Sequence, residues 1–234
     1  MKTSSLIYSL LAIGFLLILT NGCKKDDDKN IQFNPDLSYE TTTDIDGNVY
    51  RTIKIGTQTW MAENMKVTRY RNGDTIPYVT DRTEWLNLST SAYCDYGNST
   101  SNSTIYGKLY NWYAVADIRN IAPTGWHVAS DAEWTMLTTF LGGEDVAGGK
   151  LKEKGTAHWL SPNYGATNET GFSALPGGGY GGGIFLHLGY GGFWWTSTEY
   201  SSSVWYRGML YYSGGVTRYY NNPSRGLSVR CVRD

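Results

Sequence analysis

Between Gly189 and Asp234 the chain alternates runs of aromatic and β-branched residues with turn formers at Ser213-Gly214-Gly215 and Asn221-Asn222-Pro223. That alternation is the pattern of antiparallel strands joined by short loops, and it predicts two or three of them. From Tyr190 to Arg225 the segment holds seven Tyr, three Trp, six Ser, five Gly and two Asn, so 23 of its 36 residues belong to the set enriched in antibody paratopes. Tyr and Trp bury large areas at low rotamer cost, while Ser, Gly and Asn adapt their hydrogen bonds. Two readings are open: a presented binding face, or ordinary edge-strand composition whose aromatics fill a small core. On the first, the ligand contacts are Tyr200, Trp205, Tyr206, Tyr211, Tyr212, Tyr219, Tyr220, Asn221 and Asn222. Tyr206, Tyr211, Tyr219 and Tyr220 lie beside Gly and Asn turns and are expected to be exposed, whereas Trp126, Trp134, Trp194 and Trp195 sit within helix or strand motifs and are expected in the core.

The other end of the chain reads as processing rather than structure. Lys2 precedes an apolar run of 14 residues, Leu6 to Leu19, too short for a permanent membrane helix of roughly 20 residues and laid out as an export signal. Leu19-Thr20-Asn21-Gly22-Cys23 resembles the lipobox of bacterial lipoprotein precursors, which implies cleavage after residue 22 and lipidation of Cys23; an uncleaved anchor with an incidental Cys is the other reading. Lys24 to Asn30 is a charge cluster without apolar partners, expected to be solvated. Residues 23–40 are therefore assigned to a flexible tether and 41–234 to one domain. Acidic runs after such a Cys resemble the surface-export signals of some Gram-negative lipoproteins, which implies an outer-membrane or cell-surface location.

Without residues 1–22 the chain carries 19 Lys and Arg against 21 Asp and Glu. No basic stripe attracts phosphate backbones, so nucleic acid is not an expected partner. Aromatic residues at 15% and 28 glycines favour a β-rich, loop-rich domain over a helical bundle. Lipidation of Cys23 leaves Cys94 and Cys231, which either form a disulfide in an oxidising compartment or remain two buried thiols. The disulfide would stabilise the fold by up to roughly 4 to 5 kcal/mol in the chain-entropy account.

Along the chain, Asp46-Gly47 between extended runs predicts a hairpin, and Gly56-Thr57 a second turn leading into Gln58-Thr-Trp-Met-Ala-Glu-Asn64. Asp44 to Ile55 does not fit a calcium loop, lacking Gly at the sixth position and Glu at the twelfth. Asn87 to Thr104 is expected to be an exposed loop tied down by Cys94. Tyr106, Leu109, Tyr110 and Tyr113 share a helical spacing, which predicts a first helix over 106–116. Ser130-Asp-Ala-Glu133 forms a capping box, with Trp134, Leu137 and Leu141 on one face and Gly142-Gly143 at the end; Gly125 to Ala129 reads as a buried strand feeding it. Gly177 to Gly183 satisfies G-x-G-x-x-G, but no helix follows as a dinucleotide site requires, so a loop is expected.

Signals for chemistry are sparse. His127, His158 and His187 have no metal-site pairing, and the chain lacks a nucleophile elbow, a phosphate loop and a C-x-x-C motif. Asp131, Glu169 and Glu199 form a catalytic carboxylate set only if the fold brings them together. No catalytic residue, metal or cofactor is assigned.

Eight ordered motifs carry a resemblance: Asp46-Gly-Asn-Val-Tyr50, Gly56-Thr-Gln-Thr-Trp-Met-Ala-Glu-Asn64, Tyr110-Asn-Trp-Tyr-Ala114, Gly125-Trp-His-Val128, Asp131-Ala-Glu-Trp134, Gly171-Phe-Ser-Ala-Leu-Pro-Gly177, Trp194-Trp-Thr-Ser-Thr-Glu199 and Leu227-Ser-Val-Arg-Cys-Val-Arg233. Together they resemble the Fibrobacter succinogenes major paralogous domain, over about Thr41 to Asp234. The resemblance implies an α+β, C-type-lectin-like fold with two main helices, antiparallel strands and long irregular Gly-rich loops. His127 to Trp134 and Arg225 to Arg230 are also similar to segments of formylglycine-generating-enzyme-like proteins, although Cys94 and Cys231 do not reproduce that enzyme's closely spaced pair. The Glu-Pro-Asn and Trp-Asn-Asp motifs of calcium-dependent sugar binding are absent. Glu199 to Arg225 resembles the Tyr- and Ser-rich region of the variable proteins of diversity-generating retroelements. The expectation is a non-enzymatic, lipid-anchored module that binds a protein or glycan; the alternatives are a formylglycine-generating-type enzyme or hydrolase on the same fold, and a structural adhesin component.

Overall fold

The structure is a computed structural model and describes residues 30–234. The expectations for the signal peptide, Cys23 and the first tether residues lie outside the described residues. The chain forms β1 (Glu40–Thr43), β2 (Val49–Ile55), β3 (Gln58–Met61), α1 (Arg82–Leu86), β4 (Tyr93–Cys94), α2 (Thr100–Tyr106), β5 (Leu109–Tyr110), α3 (Trp112–Val115), β6 (Trp126–Val128), α4 (Asp131–Phe140), α5 (Glu144–Leu151), β7 (Gly177–Gly181), β8 (Ile184–Leu188), β9 (Gly191–Tyr200), β10 (Ser203–Leu210), β11 (Thr217–Asn221) and β12 (Cys231–Arg233). It is an α+β protein built on two five-stranded sheets, ordered β1-β2-β3-β12-β6 and β11-β10-β9-β7-β8.

Both predicted N-terminal turns form. Gly47 takes a positive φ of 84° at the first and Gly56 one of 61° at the second, a conformation glycine reaches without a Cβ clash. The closing strand β12 inserts between β3 and β6, pairing Val232 with both Trp60 and His127. Just before it, Gly226, Leu227 and Ser228 bridge to Tyr180, Tyr110 and Trp194 respectively, so one extended segment joins the two sheets.

The capping box at Ser130 is present in full: Ser130 Oγ accepts from Glu133 N–H while the Glu133 carboxylate accepts from Ser130 N–H. Trp134 and Leu137 bury the inner face of α4 against Trp60, Phe172 and Trp194. Two buried arginines hold the core layers together. Arg230 donates to Asn64 and to the carbonyls of Met61, Phe172 and Ser173, and Arg207 reaches Asp131, Thr135 and Glu144.

Several expectations are corrected. The predicted helix over 106–116 is three pieces: α2 ends at Tyr106, Gly107 turns at φ +77° with its backbone against Asn64 and Met65, β5 follows, and Asn111 caps the short α3. The predicted loop over 87–104 carries β4 and most of α2. Gly177–Gly181 is a buried strand rather than a loop, and its one parallel pairing is with β9 at Gly178 and Gly192. A further helix, α5, follows Gly143 where the helical part was expected to stop. Its Gly148 and Gly149 are forced by packing, because a Cβ there would lie 2.1 Å from the Gly215 carbonyl oxygen and 2.4 Å from that of Gly165.

The folded body also begins before Thr41. Phe33 lies under the Arg51 guanidinium at 4.0 Å, Leu37 and Tyr39 pack on the core, and Gln32 N–H donates to Glu153 at 2.6 Å.

Candidate functional site

Strand alternation on β10 and β11 sorts the predicted contacts onto opposite sides of the sheet. Trp205 pairs with Tyr220 and Arg207 with Arg218, and these four share the side facing α4. Tyr206 pairs with Tyr219 on the other side, where it packs on Phe193 and Trp195. A bulge between Val204 and Tyr206 shifts the β9 pairing, which increases local twist.

On the α4 side an aromatic ridge forms at the sheet's edge. The Tyr200 ring lies 4.5 Å from Trp205 and 4.9 Å from Tyr220, and Trp205 and Tyr220 meet edge-on at 5.8 Å. Tyr219 emerges on the other side of β11 and meets Tyr220 around the edge of the sheet, with the rings 6.1 Å apart. Tyr200, Tyr219 and Tyr220 keep 45%, 61% and 48% of their surfaces exposed, so the cluster is held by its own contacts rather than by burial. Arg218 supports it from beneath: its guanidinium sits 3.7 Å over the Trp205 ring and pairs with Asp131 at 2.8 Å.

Asp131, the first residue of α4, fixes that arginine. One carboxylate oxygen accepts from buried Arg207 at 2.8 Å and the other from Arg218 at 2.8 Å, while Thr198 donates nothing to the carboxylate but accepts the Asp131 N–H at 3.0 Å. Burial alone would raise the Asp131 pKa; the Arg218 hydrogen bond and the charge of Arg207 outweigh it and hold the carboxyl below its usual range.

The remaining predicted contacts lie elsewhere. Tyr211 and Tyr212 meet Tyr190 at 4.9 and 5.8 Å at the other end of β10, about 20 Å along the strand from Trp205 at roughly 3.3 Å per residue. Tyr211 is half-buried on the core and Tyr212 is exposed. Tyr206 and Asn221 line a separate cleft on the opposite side of the sheet, with Phe193, His187 and Arg225. Asn222 is a turn residue, its side-chain oxygen accepting from Ser224 N–H at 2.9 Å. The nine predicted contacts are thus divided among three places and a turn. Tyr206 and Tyr211, expected to be exposed, are half-buried; Trp126, Trp134, Trp194 and Trp195 are core, as expected.

The family model of the Fibrobacter succinogenes major domain matches residues 53–233. The chain belongs to this family. No curated protein and no solved structure matches it.

Most motifs that carry the resemblance to the family serve its core. Asn64 Oδ1 accepts from Trp194 Nε1 and from Arg230 Nε, both at 2.8 Å, and Asn64 Nδ2 donates to the Tyr106 carbonyl at 2.8 Å. Trp112 Nε1 donates to the Thr196 carbonyl at 3.0 Å, and Trp195 Nε1 to that of Tyr110 at 2.9 Å. These bonds specify how the sheets join, so family membership alone does not locate a ligand.

The expected disulfide is absent: Cys94 and Cys231 are free thiols, one in the cluster around Trp85 and Tyr180, the other in the larger cluster around Tyr50 and Tyr110. Burial pushes both thiols well above their usual pKa, which keeps them protonated and unreactive at neutral pH. The histidines have separate settings: His127 bonds Glu133 and Asp234, His158 bonds buried Glu153, and His187 packs on Tyr190 and Phe193. Among the described residues no group of three or more His, Cys, Asp or Glu converges as a metal site. Asp131 is engaged by arginines and Glu169 by Lys150, and Glu199 stands on β9. Sequence reasoning missed Arg218, although it stands two residues from Tyr220 on one strand and so on the same face.

Proposed function

We propose that the domain is a binding module of C-type-lectin-like fold that holds a protein or glycan ligand on the ridge of Tyr200, Trp205, Tyr219 and Tyr220. The observation that carries this is the ridge itself: three large aromatics stay about half exposed while a buried ion-pair network fixes the arginine beneath them. Exposed aromatics on a rigid, polar-rimmed support are the composition of interface centres. The fold reading is supported by the pairing of β6 with β12, residues 126–128 against 231–233, and by the Ala129 N–H bond to the Arg230 carbonyl, which bring the start of segment 127–134 and the end of segment 225–230 together. The apolar run Leu6 to Leu19 followed by Gly22-Cys23 supports export and a lipid anchor at Cys23, with the domain on the outer membrane or cell surface. Mass spectrometry of the mature N-terminus should find a lipidated Cys23; an unmodified N-terminal residue at another position removes the anchor from this account.

A glycan and protein array probed with residues 30–234 tests the ridge. Trp205→Ala and Tyr220→Ala are expected to weaken binding by more than about 1 to 2 kcal/mol each. Tyr219→Ala, the most exposed of the set, should leave the melting temperature nearly unchanged. Retention of full affinity by the Trp205 and Tyr220 variants would place the ligand elsewhere.

A further inference from the structure

The cleft on the opposite side of the β9–β10 sheet has a different chemistry from the ridge. It encloses about 100 Å³ between Gly179, Tyr180, Leu186, Phe193, Tyr206 and Arg225, with His187, Asn221 and Leu227 completing it. The Arg225 guanidinium makes no hydrogen bond, ion pair or ring contact among the described residues; only its backbone N–H is engaged, to Asn222. It is nonetheless half-buried. A half-buried guanidinium with five unused donors is a costly group to leave unpaired unless a ligand completes it.

Its position is built into the backbone. A Cβ at Gly181 would lie 2.7 Å from Arg225 Nη1 and 2.9 Å from its Cζ, so the glycine of β7 leaves the space that the guanidinium fills. The charge of Arg225 reaches the Tyr206 hydroxyl, lowering a pKa that burial raises more strongly. Asn221 uses its side-chain oxygen on Asn222 N–H, which leaves its amide nitrogen as a donor. His187, at a positive φ of 70° unusual for a residue with a Cβ, lies against Phe193 at the mouth. Donors therefore line the cleft, and no carboxylate does.

We infer that this cleft binds the carboxylate of an acidic sugar, with Arg225 gripping the two oxygens and the rings of Phe193 and Tyr206 walling the adjoining pyranose. A planar guanidinium matches a carboxylate bidentately, and the polar groups that converge are donors rather than the mixed set a neutral sugar needs. Aromatic walls suit the apolar face of a sugar ring. This site stands or falls independently of the ridge.

The experiment is a two-dimensional amide NMR titration of residues 30–234 with sodium glucuronate, with glucose and N-acetylglycine as parallel arms. Glucuronate should shift the amides of Gly179, Gly181 and Asn221, and glucose should not. Arg225→Ala, which removes no intramolecular bond, should weaken glucuronate binding about ten-fold or more without lowering the melting temperature. Arg225→Lys should weaken it less, since it keeps the charge and loses the fork. Gly181→Ala, which pushes a methyl into the guanidinium, should weaken it too, whereas Tyr220→Ala should leave it unchanged. Equal shifts with glucose, binding of N-acetylglycine but not glucuronate, or undiminished binding by Arg225→Ala would each overturn the assignment, the second in favour of a peptide carboxylate.

Discussion

Arg230→Ala is expected to destabilise the domain by about 3 to 5 kcal/mol, from the cavity left by a large buried side chain and the acceptors it no longer serves. The guanidinium is fully buried and pairs with no carboxylate among the described residues; it is held by neutral acceptors. Asn64 Oδ1 accepts at 2.8 Å, the carbonyls of Met61 and Ser173 at 3.2 and 3.1 Å, and the Phe172 carbonyl completes the set. The Phe172 ring lies 4.2 Å from its Cζ. Removing the side chain leaves Asn64 Oδ1 with Trp194 Nε1 but takes the Arg230 donors from the Phe172 and Ser173 carbonyls, at about 1 to 3 kcal/mol each, relieved in part if water enters. A domain of this size loses roughly 2 to 4 °C of melting temperature per kcal/mol, so calorimetry should show a fall of roughly 6 to 20 °C. Arg230→Met, which keeps bulk against Phe172 but supplies no donor, should remain well below wild type. A melting point for Arg230→Ala within about 2 °C of wild type would show that these acceptors are satisfied without it.

The parts of the fold that are legible in the sequence are those whose geometry is local. Hairpin turns and the α4 capping box are local: Asp46-Gly47 and Ser130 to Glu133 carry their own geometry, and tertiary packing only completes it. What misled were residues whose conformation is set from outside. Tyr106 to Ala116 has helical spacing, yet Gly107 must turn because Asn64 and Met65 press against it. Helix α5 carries two consecutive glycines, poor helix formers, kept because the Gly214-Gly215 turn and Gly165 pass too close for a methyl. Strand β7 reads Gly-Gly-Gly-Tyr-Gly and offers no alternation to detect. Cysteine parity implied a bridge, but parity carries no information on distance, and the two thiols lie in different clusters.

The candidate site was half legible for a related reason. Composition points to the segment that carries the aromatic ridge, while the side of the sheet on which each aromatic emerges depends on register, and a one-residue shift reverses it. The bulge between Val204 and Tyr206 moves the β9 partner by two extra residues, from Glu199 to Trp195, and so keeps the faces as the β10–β11 register sets them. Alternation along β10 then sends Tyr206 to Phe193 and the Arg225 cleft and Trp205 to the ridge. The charged groups that hold the ridge come from α4, more than sixty residues away in sequence, beyond the reach of any local pattern.

Asp131 links that ridge to the core, and its substitution is expected to act on both. In Asp131→Ala buried Arg207 keeps Glu144 at 2.6 Å and the Thr135 hydroxyl at 2.7 Å but loses the more buried of its two carboxylates, at the start of α4, a cost of about 3 kcal/mol. Arg218, released from its 2.8 Å pair, loses the anchor that seats it over Trp205, so ligand affinity at the ridge should fall even under conditions where the variant stays folded. The pH dependence separates this charge from mere packing. Burial alone would raise the Asp131 pKa, but the hydrogen bond from Arg218 and the charge of Arg207 lower it overall. A carboxyl depressed in the folded state contributes stability that is fully present above its unfolded pKa of about 3.9 and is lost as pH falls through the lower folded value. Asp46, Asp95 and Glu133 are depressed as well, so wild type and Asp131→Asn both lose stability in acid. The difference between them is the measure of Asp131: chemical denaturation at stepped pH should show a gap that is constant above about pH 5 and narrows below about pH 4. A gap that does not narrow in acid would mean that the Asp131 charge contributes nothing to holding Arg207 and Arg218.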